Sequence, residues 1–146
     1  MENTISKGLR NTFLFHTIVS AVLGLSLYVV PGRVLAILGW IPEKYELTVG
    51  GTTVSAPGTF LVDPVITRVL GAALLALAFA SFLGWRAKEH QEVSILVLLE
   101  LVFCVLALVA FVVRIVTLGL TLPVIGWVLI VILLAFAVAW GMMLRR

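Results

Sequence analysis

Glu100 stands in the run LVLLELVFCVLALVAFVVR, residues 96–114, in which the only other charged side chain is the closing Arg114. An ionisable group within an apolar segment is costly, so it is paired or functional by default. A second such group is His16, in HTIVSAVLG. His16, Ser20 and Gly24 recur at i, i+4 and i+8, with Thr17 beside them, and so form a polar stripe on one helix face. Glu100, Cys104, Ala107, Phe111 and Arg114 form a matching seam at spacings of four, three, four and three. Taking the apolar run to begin near Val93, Glu100 lies seven residues in, roughly 10 Å deep at about 1.5 Å per residue. His16 is about as deep in its own segment, from the same side, so the two stripes are expected to meet inside a bundle. An imidazole and a carboxyl at that depth can share one proton. They can fix helix packing by a hydrogen bond, or handle a proton or ligand. Desolvation favours the neutral pair over the ionic one, because attraction must offset two burial costs.

A second group of charges, Arg33, Asp63, Arg68 and Arg114, is expected at the opposite end of the segments. Asp63 precedes Pro64 and can cap the helix that follows. Arg68, one turn further in, is expected to pair with Asp63 and loop carbonyls, or to take an anionic head group. Other chemistry has no foothold. C-x-x-C, H-x-x-x-H, G-x-S-x-G, G-x-G-x-x-G and P-loop patterns are all absent. His90 falls in the short polar loop RAKEHQEV, so it is not expected to join His16 on a haem or metal, and no cofactor is expected. The single cysteine, Cys104, permits no intramolecular disulfide.

These groups must be positioned by apolar helices. The chain has 146 residues, 62% hydrophobic and 12% charged, with mean hydropathy +1.24. Soluble domains carry roughly 25% charged residues, so an all-α integral membrane protein of one domain, residues 1–146, is expected. The net charge of +3 sits at segment ends and forms no basic-aromatic stripe, which argues against a nucleic-acid partner. Crossing a bilayer takes about 20 apolar residues, and four segments qualify, at about 11–30, 64–85, 93–116 and 122–144. Pro31-Gly32 stops the first, and Pro64 and Pro123 suit first helical turns. The first run is long and no A-x-A-like site follows it, so a retained span is expected rather than a signal peptide.

Lys7, Arg10, Arg86, Lys88, Arg145 and Arg146 share one side, against Arg33, Lys44, Arg68 and Arg114 on the other. The basic bias puts both termini in the cytoplasm. Trp40, Trp85 and Trp127 fall near the expected interfaces. In the outer loop, 31–63, PGRVLAILGW reads as a short interfacial helix. YELTVGGTTVSA alternates about Gly50-Gly51 and reads as a small extracytoplasmic β-hairpin. In the second segment Ala72, Ala76, Ala80 and Gly84 recur every four residues and suggest a helix-packing face, toward another span or a second copy. The stretch from Pro64 can also be laid on that from Pro123 with eleven of 24 positions identical, as a parallel repeat of two helical hairpins would give.

VPGRVLAILGW, then DPVITRVLGAALLALA, then a short basic loop and a span with an early glutamate resembles the DoxX-like small four-span membrane proteins of prokaryotes. Pro31, Gly39, Asp63, Pro64, Arg68, Gly71 and Ala72 carry the resemblance. It implies a four-helix bundle in a prokaryotic cell membrane, with a quinone-linked redox subunit among the functions of such proteins. The long hairpin loop departs from their usual short connection. From the residues themselves, a non-enzymatic accessory subunit or a binder of lipid or a small apolar ligand is expected. An oligomeric transporter or channel with a proton site at His16 and Glu100 is the alternative. The partners expected are the lipid bilayer and either further copies or a larger membrane complex.

Overall fold

The computed structural model describes residues 4–42, 44–118, 122 and 124–144. Five helices and one hairpin follow in order: α1 (Lys7–Val29), α2 (Pro31–Ile37), β1 (Lys44–Val49), β2 (Thr52–Pro57), α3 (Pro64–Arg86), α4 (His90–Leu118) and α5 (Val124–Leu144). A 3-10 turn, Gly58–Leu61, leads from β2 towards α3. Among the described residues four helices, α1, α3, α4 and α5, are long and apolar enough to cross a membrane.

Two of these helices start earlier than their apolar runs. α1 begins at Lys7 rather than near Asn11, because the Ser6 hydroxyl accepts from Leu9 N–H and caps it. α4 begins at His90 rather than near Val93. The Glu92 carboxylate reaches back to the N–H groups of Lys88 and Glu89, at 3.0 and 3.4 Å, and satisfies donors that the helix leaves open. His90 is thus the first residue of α4, not part of a loop. α5 begins at Val124; Pro123 lies outside the described residues.

Pro31 ends α1 and opens α2, where its missing N–H costs nothing. α2 closes on Gly39, at φ +71°, with Gly39 N–H bonded to Ala36 O and Trp40 N–H to Leu35 O. Only glycine enters that left-handed position freely, and the two backward bonds satisfy carbonyls that would otherwise be orphaned. The turn places Trp40 edge-on against Phe111 of α4, with ring centroids 5.7 Å apart.

β1 and β2 pair antiparallel from Lys44↔Pro57 to Val49↔Thr52 around Gly50-Gly51, whose φ values are +59° and +84°. Tyr45, Leu47, Val49, Thr52, Val54 and Ala56 therefore share one face. The hairpin makes no broad contact with the bundle, and Leu47, Val49 and Val54 are exposed.

α1 packs along α3 for most of its length, and α4 packs on α5; contacts between the two pairs are sparse. The α1–α3 seam is closest at Gly24 and Gly71. A Cβ built on Gly71 would stand 2.8 Å from Gly24 O and 2.8 Å from Tyr28 N. Beyond the pairs, buried residues form two clusters. One, near the termini, joins Leu9, Phe13, Val93, Val97, Cys104, Phe136 and Trp140. The other joins Leu27, Leu35 and Leu74 near α2.

The face that α3 turns to α1 is Thr67, Gly71, Leu74, Ala78, Ser81 and Gly84. It is not the Ala72, Ala76, Ala80, Gly84 series. Ala72 and Ala76 are exposed, Ala80 is half-buried, and only Gly84 is buried, against the Phe13 ring. Four residues turn a helix through about 400°, so a strict four-residue series drifts by roughly 40° a step. Alternating steps of three and four hold one face.

Candidate functional site: a polar cluster at the end of an apolar cavity

α1 carries His16 and Ser20, α4 carries Glu100, and the α1–α3 seam adds Ser81. Glu100 and Ser81 are 0% exposed, His16 4%. The Ser81 hydroxyl donates to Glu100 Oε1 at 2.6 Å. A hydroxyl has one proton, so the 2.9 Å contact between His16 Nδ1 and Ser81 Oγ is a bond from Nδ1–H to the serine oxygen. His16 Nε2 lies 3.2 Å from Ser20 Oγ and 3.3 Å from Glu100 Oε2. Oε2 has no hydrogen-bond partner among the described residues. A charge-assisted bond draws in to about 2.7–2.9 Å, so His16 and Glu100 are joined through Ser81 more than as a direct ion pair. The rings of Phe136 and Trp140 enclose the imidazole, Phe136 edge-on at 4.7 Å. The Trp140 indole N–H is also buried without an acceptor.

The structure therefore brings His16 and Glu100 together and places Ser81, which stands out little among the small residues of its segment, between them. Ser81 follows Gly71, Leu74 and Ala78 at spacings of three, four and three on α3. Helical spacing, applied to the small residues of that segment, was the signal that would have found it.

The opposite charge group is not assembled in this way. Asp63 caps α3, accepting from Val65 N–H at 2.7 Å and Ile66 N–H at 3.3 Å. Arg68 donates from Nε to Tyr28 O, the last turn of α1, at 3.3 Å, and not to Asp63. Arg33, Asp63 and Arg68 are exposed, and no ion pair joins them among the described residues. Helix spacing separates them: Asp63 is spent on the cap, while Arg68 projects across the seam towards α1. The Arg114 side chain lies outside the described residues.

Between the two core clusters, where α1–α3 and α4–α5 stand apart, is a cavity of about 800 Å³. Its walls are apolar: Leu23 and Leu27 of α1, Leu70 and Leu74 of α3, Phe103 and Phe111 of α4, Leu133 and Phe136 of α5. α2 and the turn after it close one end with Leu35, Leu38, Trp40 and Ile41. His16 and Ser20 provide the polar groups at the other. From His16 to Leu27 is eleven residues of α1, about 16 Å at 1.5 Å per residue. Ligand sites are commonly of this size, largely apolar with a few placed polar groups. The arrangement can hold an elongated apolar molecule and fix one end of it by hydrogen bonding.

No protein-family model, curated protein or solved structure matches this chain. The likeness to DoxX-like proteins rests on the sequence positions alone.

Proposed function

We propose that the chain is a multi-pass membrane protein that binds a small, largely apolar molecule between its two helix pairs, without itself catalysing a reaction. α1, α3, α4 and α5 are the spans. α2 lies in the interface, the hairpin stands outside, and both termini are cytoplasmic. The observation that carries the reading is the cavity of about 800 Å³, apolar along its walls and polar at one end. The space opens where the two helix pairs contact each other sparsely, and a few polar side chains converge at one end of an otherwise apolar wall, as ligand sites do. An accessory subunit that holds a lipid-like molecule for a partner fits the same geometry.

The test is mass spectrometry of the organic extract of protein purified in mild detergent. One molecular species retained in near-stoichiometric amount, and reduced when Ala107 is enlarged to Phe to fill the cavity, is the expected result. An extract that matches the bulk membrane lipids, and is unchanged by Ala107→Phe, rejects the reading.

A proton-transport alternative draws on His16 and Glu100. Their burial supports it less, because a carrier needs its proton site open to water in some state. If transport is the function, Glu100→Gln abolishes proton flux in liposomes while the fold is retained.

A further inference from the structure

The hydrogen bonds around His16 specify which polar group the cavity accepts. Ser81 spends its single proton on Glu100 Oε1, so it can only accept from His16 Nδ1. The imidazole is thereby held with its proton on Nδ1 and a bare lone pair on Nε2. Ser20 Oγ, 3.2 Å from Nε2, then donates its own proton to that lone pair. A hydroxyl that has donated retains two acceptor lone pairs. Of the two polar residues at this end of the cavity, Ser20 thus meets its contents as an acceptor, while the single lone pair on His16 Nε2 is taken by Ser20. Glu100, which fixes this polarity through Ser81, does not itself line the cavity.

Resting on the reading of the cavity as a binding site, we infer that its ligand is an uncharged, elongated amphiphile with a hydroxyl at one end, donated to Ser20 Oγ. A terminal carbonyl or ether finds no donor there. A carboxylate would bring an anion to an end of the cavity that offers it only lone pairs. The apolar body of the ligand runs along α1 towards Leu27 and the closure formed by Leu35, Leu38 and Trp40. Ser81 and Glu100 are positioning residues: they touch no ligand and act through the orientation of the His16 ring.

The probes are 12-bromododecanol, its methyl ether and bromododecane, added to the protein in lipid nanodiscs. Bromine quenches tryptophan fluorescence, and Trp40 lies on the cavity wall. The outward-facing Trp127 is replaced by Phe, so that probe dissolved in the bilayer contributes little. Saturable quenching by the alcohol at about threefold to tenfold lower concentration than by the ether is expected, the range one net hydrogen bond provides. In Ser20→Val, which removes the hydroxyl and keeps a γ carbon over His16 Nε2, the two probes should bind within about twofold of each other. Glu100→Gln, which keeps an acceptor for Ser81, should retain the preference. Saturable binding with no preference for the alcohol overturns this inference and leaves the cavity reading standing. A preference that survives Ser20→Val also overturns it, because the hydroxyl then sits elsewhere. If none of the three probes quenches saturably, the binding reading falls and this inference falls with it.

Discussion

Replacing Ser81 by Ala tests whether the buried cluster is one connected unit. The hydroxyl accepts from His16 Nδ1–H at 2.9 Å and donates to Glu100 Oε1 at 2.6 Å, with no solvent to substitute for either. Two scales bracket the cost. Hydrogen bonds between membrane helices average about 0.6 kcal/mol, because separated helices find other partners, so two such bonds give about 1.2 kcal/mol. Orphaned buried groups in water-soluble cores cost about 1–3 kcal/mol each. One partner here is a carboxyl group, and the donor and acceptor left behind stand on different helices. The value therefore falls between the scales, at about 2 kcal/mol. The assay is reversible unfolding by dodecyl sulfate in mixed micelles, followed by far-ultraviolet circular dichroism. Glu100→Leu alone and with Ser81→Ala completes a double-mutant cycle, with coupling of about 1 kcal/mol expected. A Ser81→Ala protein within about 0.5 kcal/mol of the parent, or strict additivity in the cycle, would falsify the connected cluster.

Gly71→Ala forces a methyl group onto the backbone of α1, whereas Gly141→Ala enters open space. The first should be less stable than the second by about 1–3 kcal/mol in the same titration, with helix propensity cancelling between them; equal stabilities would contradict the close α1–α3 contact. Asp63→Ala removes the cap of α3 and should cost about 0.5–2 kcal/mol. Arg68→Ala, at an exposed side chain, should cost less than Asp63→Ala; the opposite order in thermal melts would show that Arg68 is tied more firmly than its single bond to Tyr28 O implies. Cysteine at Thr52 should react with an impermeant thiol reagent on intact cells, and cysteine at Lys88 should not; the reverse pattern inverts the orientation.

The long helices are legible in the sequence because apolar length and proline position both mark them: Pro31 and Pro64 open helices where expected, and Gly50-Gly51 turns the hairpin. Helix starts are less legible. At Lys7 and His90 the first turn is polar, so hydropathy does not count it, and capping by Ser6 and Glu92 decides the boundary. In the candidate site, His16 and Glu100 stand out because charge is conspicuous in an apolar run. Ser81 does not, since one serine among many small residues carries little contrast. The cavity is invisible in sequence for a different reason. It is set by how far apart α1–α3 and α4–α5 stand, a distance fixed jointly by side chains from several elements.

The uneven packing of the helices has a mechanical consequence. α1 and α3 are zipped together through Gly24 and Gly71, and α4 and α5 lie along each other, so each pair behaves as a stiff plate. Among the described residues, the polar tie between the plates is at Glu100, which belongs to one plate and is held by Ser81 of the other. The α2 turn bears on the far side, where Trp40 stands edge-on against Phe111 of α4. The space between the plates is therefore bounded by a hydrogen-bonded tie at one end and by the α2 turn at the other. A change in how the α2 turn packs would alter the width of that space while leaving the Ser81–Glu100 bond in place.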